Sequence, residues 1–256
     1  MTGNDDIWLA GVDGCPGGWI VALGRPGGET LPPRVVTRFE EIAFGDARPS
    51  VIAVDVPIGL PAQSPAKGRL AEAAVRPLLG DRKSSVFRIP SRRAVEASVA
   101  ATPADARERF FKACDIARQT ADDGKGFSKQ SFYILDKVVE VDGFLRSHPN
   151  DVSRVFETHP ELAFWRMNGE RPLALPKKLK SRVHAPGLAL RRDLLNRAGI
   201  PQALLTVPAP GGAAADDVID AFACLVTARH IHAGRAKSFP DCPPRDEHGL
   251  PMAIWA

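Results

Sequence analysis

Three short apolar runs in this chain each reach an acid. The first, Ile7–Asp13, sets Ile7, Leu9, Gly11 and Asp13 on one face of an extended chain and Trp8, Ala10 and Val12 on the other. Both faces are apolar up to the aspartate, so the run predicts a strand in the interior of a sheet. A turn containing Gly14, Pro16, Gly17 and Gly18 leads into Trp19–Leu23, and the pair predicts an antiparallel hairpin. Arg34–Phe39 predicts a third strand, with a short helix from about Glu40. The run "VIAVDVPIGLP", Val51–Pro61, is apolar on both faces, as buried parallel strands are, and it meets Asp55. Val152–Glu157 predicts another strand with an acid at its exit, followed by a helix over Leu162–Met167.

From about residue 62 to residue 150 the period changes from two to three or four. The segments 64–80, 103–121 and 131–147 predict amphipathic helices, which read as a helical insertion within a single domain spanning residues 1–256. A basic stretch, Lys177–Arg192, and a Pro/Gly loop, "VPAPGGAAA", precede a helix over about Ala213–His232 that opens with "DDVIDA". The tail, Ala236–Ala256, is rich in proline and predicts irregular chain. No internal repeat of fixed period is present.

Sites in open α/β sheets form beyond the carboxyl ends of adjacent parallel strands. The spacing therefore predicts that Asp13, Asp55, Glu157, Asp217 and Asp220 converge at one sheet edge. Gathered carboxylates repel one another and resist ionising, so the arrangement makes physical sense with a divalent cation among them. Hard oxygen donors favour Mg²⁺ or Mn²⁺ over Zn²⁺. Two such ions held ~3.5–4 Å apart activate a water and stabilise the leaving oxygen of a phosphodiester. Each acid also has an ordinary reading. Asp13 before Gly14 is a hairpin signal. Asp216, Asp217 and Asp220 complement a helix dipole and fall away from the apolar stripe Val218–Phe222–Leu225–Ile231. Asp55 is harder to explain this way, because an unsatisfied polar group among Val, Ile and Ala costs about 2–7 kcal/mol.

Lys plus Arg number 34 against 30 Asp plus Glu, a net charge of +4 that permits approach to polyanions without requiring it. Arg82, Lys83, Arg88, Arg92 and Arg93 surround "SSVF", which contains Ser85, and Lys177, Lys178, Lys180 and Arg182 cluster downstream. Such groups fit a phosphate-binding surface, and solvated faces have the same composition. Lys137 and Glu140 have the spacing of a helix surface pair, and Lys137 is also a substrate-binding candidate. His159, beside the exit of the Glu157 strand, is a candidate ligand or hydrogen-bond donor. Cys15, Cys114, Cys224 and Cys242 are far apart, and the start "MTGNDD" is polar, which predicts a reduced, cytoplasmic, soluble protein. No apolar stretch approaches the ~18 residues of a membrane span.

The blocks "GVDGCPGGWIVA", "IAVDVPIGLP", "DRKSSVFRIPSRRA", "GFSKQSFYILDKVVEVD", "VFETHPELAF" and "ADDVIDAFACLVTAR" resemble, in one order, the family grouped as domain of unknown function 429, described as predicted nucleases of the ribonuclease H-like fold. The resemblance implies an α/β fold with a mixed five-stranded sheet. Its first three strands are antiparallel, the Asp13, Asp55 and Glu157 strands are parallel, and helices cover both faces. "DDVIDA" is similar to the D-x-x-D-A opening of the last helix in Holliday-junction resolvases of this fold, which carries over to Asp217 and Asp220. Asp13 matches the aspartate of the first strand, whereas Asp55 stands where several relatives of the fold have glutamate.

The leading expectation is a metal-dependent nuclease or phosphodiesterase that acts on DNA or RNA, with no membrane partner and a homodimer left open. Two alternatives stand beside it. One is a nucleotide-binding phosphotransferase of the actin and sugar-kinase superfamily, with "PAPGGAAADD" as its glycine loop. The other is a catalytically silent binding module. A cysteine hydrolase built on Cys15 is remote, because none of the six histidines is marked as its partner.

Overall fold

β1 (Leu9–Cys15), β2 (Gly18–Gly24), β3 (Arg34–Val36), β4 (Val51–Val54) and β5 (Val155–Glu157) form one sheet in the order β3-β2-β1-β4-β5. The computed structural model describes residues 7–99, 105–179 and 182–256. β1 and β2 pair antiparallel, as do β2 and β3, while β1 with β4 and β4 with β5 run parallel. The expected mixed sheet is therefore present. The third strand is shorter than expected because Glu41 accepts hydrogen bonds from the backbone N–H groups of Thr37 and Arg38 and starts a helix there. β4 ends before Asp55, and Pro57 beyond it has no N–H to offer a ladder. The first half of the predicted strand 152–157 is a 3₁₀ turn, Pro149–Arg154.

In chain order the helices are α1 (Glu40–Ala43), α2 (Leu70–Val75), α3 (Arg92–Ser98), α4 (Ala106–Gln119), α5 (Lys129–Phe132), α6 (Leu135–Ser147), α7 (Pro160–Met167), α8 (Ala185–Arg197), α9 (Gln202–Thr206) and α10 (Ala215–His232). A 3₁₀ stretch, Arg76–Ser85, follows α2. The expected helix over 103–121 is α4, and residues 103 and 104 lie outside the described ones. Two further pairs of short strands lie outside the main sheet: β6 (Lys178–Leu179) with β7 (Arg182–Val183), and β8 (Ser238–Phe239) with β9 (Ile254–Trp255). Apart from the two residues that each strand of the last pair contributes, the tail is irregular chain and turns, as its prolines predict. Among the described residues no helix is long and apolar enough to cross a membrane.

The two faces of the sheet divide the core by strict alternation. Ala10, Val12, Ile52, Val54 and Val155 pack with Leu135, Val138, Val141 and Phe144 of α6. Leu9, Val51 and Ala53 pack with Phe164 of α7 and with Val218, Ala221, Phe222 and Leu225 of α10. Gly11 lies on this second face and lets α10 approach β1 at backbone distance. A Cβ at residue 11 would lie 2.0 Å from Leu225 N and 2.2 Å from Ala221 O. The helix is buried from Asp216 through Arg229 on nearly every side, between the sheet and α7 and α8.

Candidate functional site

Register fixes the first two acids. Val12 pairs with Val54 across the parallel β1–β4 ladder, and the Asp55 N–H donates to Val12 O at 2.9 Å, so Asp13 and Asp55 emerge side by side where the strands end. Both continue the alternation of Gly11 and Ala53 and therefore face α10. Because α10 sits with Ala221 O over Gly11, Asp220 comes to the same strand ends. Asp13 is 9% exposed and Asp220 3% exposed.

Burial and mutual repulsion act together here. Burial, then the charges of Asp55 and Asp220, push the Asp13 carboxyl well above the ordinary aspartate range. Burial raises Asp55, against the opposing fields of His159 and Lys177. Asp220 is pushed up to about 6, chiefly by burial, although Lys177 pulls it down. Asp217 is raised as well, by burial, while its Oδ2 accepts a 2.8 Å hydrogen bond from the Ala214 N–H and closes the start of α10. The neighbouring Asp216 is 3% exposed, not solvated as a helix-dipole role would leave it, and pairs with Lys178 Nζ at 2.6 Å.

Lys177 is the cation of this cluster. Its Nζ contacts Asp220 Oδ2 and lies 3.9 Å from Asp216 Oδ2. The surrounding carboxylates raise its pKa above that of an ordinary lysine despite burial. Among the described residues Asp220 Oδ1 is buried without a hydrogen-bond partner, and so is His159 Nδ1. His159 Nε2 lies 3.3 Å from Ser85 O and donates to it. Glu161, at the start of α7, adds a further negative field on Asp55 and Asp220, and buried Arg191 holds it at 2.5 Å.

Glu157 follows the other parity. It pairs with Val54 in the β4–β5 ladder and therefore faces away from α10. Arg69 meets both its oxygens, at 2.6 and 3.0 Å, the Ile58 N–H donates to it at 2.8 Å, and Glu72 shares the same guanidinium. Arg69 also donates to the carbonyls of Ile58 and Gly59, making a closed buried network. Glu157 is thus tied to Arg69 and not to the three aspartates.

Two adjoining hollows open on these residues. Asp13, Asp55, Glu157, Ser85, Lys137 and His159 line a cavity of about 150 Å³. Asp55, Arg82, Ser85, His159, Lys177 and Lys178 line a cleft of about 440 Å³. Lys137 Nζ sits 4.4 Å over the Trp19 ring and 3.9 Å from Glu140. Arg88 and Arg92, expected at a phosphate surface, are engaged elsewhere. Arg88 pairs with Asp123 at 2.8 Å, and Arg92 with Asp142 at 2.8 Å and Asp246 at 2.6 Å. Lys83, Arg93 and Arg182 are exposed and line neither hollow, and Lys180 lies outside the described residues. Glu161 and Arg69 were not signalled as site residues by the sequence. An acid after His159-Pro160 reads as a helix-start residue, and nothing in "KGRLAE" marks Arg69 as a long-range partner.

Among the described residues no three of His, Cys, Asp and Glu form a group arranged to hold a metal ion. Fold and site together define a mixed α/β protein with a buried acidic centre, countered by Lys177 and Lys178, at the carboxyl ends of its parallel strands. The chain belongs to the family described as protein of unknown function (DUF429), whose model matches residues 11–245. No curated protein and no solved structure matches it.

Proposed function

We propose that this protein is a Mg²⁺- or Mn²⁺-dependent phosphodiesterase of the ribonuclease H-like fold, acting on nucleic acid, with Asp13, Asp55 and Asp220 as the cation-holding carboxylates and Asp217 beside them. One observation carries the reading. Three aspartates from three sequence-distant elements meet in one buried place, where each raises or feels the charge of another. The strand directions, and the last helix lying across β1, support the fold assignment.

The donor chemistry suits a hard cation, although among the described residues the acids do not form a group arranged to hold one, so a cation would have to draw them together. The donors are oxygens, Asp220 Oδ1 is buried and has no hydrogen-bond partner among the described residues, and the ammonium of Lys177 faces several carboxylates. A bound Mg²⁺ or Mn²⁺ would neutralise these acids and activate water for attack on phosphorus. The chain itself supplies the rest. Lys178 and Arg82 border the cleft and counter phosphate charge, His159 borders both hollows, and Glu157 with Arg69 holds the neighbouring strand exit rigid.

The phosphotransferase alternative gains nothing from its glycine loop. Gly17 N donates to Gly212 O at 2.8 Å, and a Cβ on Gly17 would meet Gly212 Cα at 3.0 Å, so the loop is closed onto the β1–β2 hairpin where an adenosine would need room. The test is cleavage of labelled DNA and RNA with Mn²⁺ by the native protein and by Asp13→Asn and Asp220→Asn. The expected result is cleavage that needs the metal and falls roughly a hundredfold or more in both variants. Undiminished cleavage in either variant removes the assignment.

A further inference from the structure

We infer that the cleft beside the aspartates accepts one unpaired nucleoside phosphate at a time, from a single-stranded segment, and excludes duplex nucleic acid; this rests on the phosphodiesterase reading of the adjoining acids.

The first observation is Arg82. Its guanidinium makes no ion pair and no hydrogen bond among the described residues, and its Nε is buried without a partner. The other arginines of this region are committed: Arg69 to Glu157 and Glu72, Arg88 to Asp123, Arg92 to Asp142 and Asp246. A half-buried guanidinium that leaves its fork free, next to Ser84, Ser85 and Lys178, suits the bidentate geometry of a phosphate.

Phe87 is the second. It lines both the cleft and the smaller cavity, so it spans the path from Arg82 to Asp13 and Asp55. An aromatic face beside a phosphate-binding fork is the arrangement that holds an unpaired base, and it accepts any base because every base offers a π-face.

The third is depth. Asp13 is 9% exposed, and the hollow over it and Asp55 is walled on one side by strand ends and on the other by Ser85, Val86, Phe87, Ile89, Ile134 and Lys137. The cleft, about 440 Å³, falls in the ~300–1,000 Å³ span of sites that take a nucleotide-sized ligand. A duplex carries its phosphates on a stiff surface beside a major groove ~12 Å wide and cannot bring one down to recessed carboxylates. An unpaired strand can bend a single phosphodiester inward with its base turned toward Phe87.

The test compares binding of a fluorescent oligothymidylate, a hairpin duplex of equal length, and thymidine 5′-monophosphate as competitor, in EDTA, for the full-length protein and for Arg82→Ala, Arg82→Lys and Phe87→Ala. The single strand is expected to bind at least tenfold more tightly than the duplex. Arg82→Ala should weaken it about tenfold and Arg82→Lys less, with unchanged thermal midpoints. Displacement by the monophosphate at similar affinity would assign the site to free nucleotides, and resistance to it would assign the site to strands. Equal binding of duplex and single strand, or an Arg82→Ala protein of unaltered affinity, overturns the inference. Selective single-strand binding with no Mn²⁺-dependent cleavage of any substrate would remove the phosphodiesterase reading and leave the cleft assignment standing. Duplex cut as fast as single strand would do the reverse.

Discussion

Lys177 reaches from a loop onto Asp220, lies within 3.9 Å of Asp216, and extends its field to Asp13 and Asp55. Without it, Asp220 loses its ion-pair partner and Asp13 an opposing charge, while Asp216 keeps Lys178. Removing one partner of a fully buried pair costs ~3–5 kcal/mol. The Lys177 side chain keeps 30% of its exposure, so Lys177→Met is expected to cost less, on the order of 2 kcal/mol, in metal-free urea denaturation. If the acids also hold a divalent cation, Mn²⁺ and the ammonium compete for Asp220. The variant should then gain more stability from Mn²⁺ than the native protein does, and an equal gain would place the ion elsewhere. The raised carboxyl pKa values give a second expectation. Asp13, Asp55 and Asp220 each bind a proton more tightly folded than unfolded. Their contribution to stability is therefore fully present below the ordinary aspartate value of about 3.9 and is lost as pH rises through about 6 for Asp220. In EDTA the denaturation midpoint should fall between about pH 4 and pH 6, and it should fall less in Asp220→Asn. A native protein whose midpoint varies no more than that variant's would show that Lys177 cancels the effect of burial on Asp220.

The meeting of β1 with α10 depends on the absence of a side chain at residue 11. The atoms a Cβ would strike, Leu225 N and Ala221 O, are backbone atoms of a helix that is itself packed on α7 and α8, so neither can yield cheaply. Gly11→Ala is expected to lose about 3 kcal/mol or more in urea denaturation and to disturb Asp220, which α10 carries. A loss under ~1 kcal/mol would show that the helix can slide. The alternation of Leu9, Gly11 and Asp13 was legible in the sequence, and so were the antiparallel hairpin, the buried parallel run at Val51 and the helices α4 and α6, whereas the segment 64–80 is helical only over α2 before it passes into a 3₁₀ stretch, and α3 was not expected. Two more things were not legible. The sequence alternates Val155 and Glu157 plainly, but only the β4–β5 register tells which face they share, and it sends Glu157 toward Arg69. The stripe Val218–Phe222–Leu225–Ile231 made α10 look one-sided, whereas Gly11 lets it sink until Asp216 and Asp220 are buried too. Arg69→Met tests the Glu157 assignment. It strands Glu157 and Glu72 without counter-charge and should cost ~3–5 kcal/mol, well above the cost of an exposed arginine.

Long-range ties hold the segment after α10, irregular as most of it is, against the rest of the protein. Thr158 Oγ1 donates to Trp255 O at 2.8 Å, and Phe156 meets the Trp255 ring edge-on, which joins this segment to β5. Asp246 makes the tie to the helical region. Its Oδ2 accepts from Leu60 N at 2.9 Å and from Arg92 at 2.6 Å, while Oδ1 accepts from His248 N and Leu250 N. Leu60, Arg92 and Asp246 are so far apart in sequence that no local pattern announces them as one junction. Burial alone would raise the Asp246 carboxyl, but these backbone donors and Arg92 hold it below the ordinary range. Its contribution is therefore present above about pH 4 and is lost as pH falls through the lowered value. Asp246→Ala leaves the Leu60 N–H without its acceptor and Arg92 with Asp142, Glu96 and Glu247, so a loss of about 2–3 kcal/mol is expected at pH 7. The same change should expose residues 240–250 to limited proteolysis before the sheet unfolds, because the junction with Leu60 and Arg92 fails while the pairing of β8 with β9 remains. If Asp246→Ala is cleaved no faster than the native protein and melts at the same temperature, the segment is held by its apolar contacts at Leu250 and Ile254, and the ionic junction is incidental.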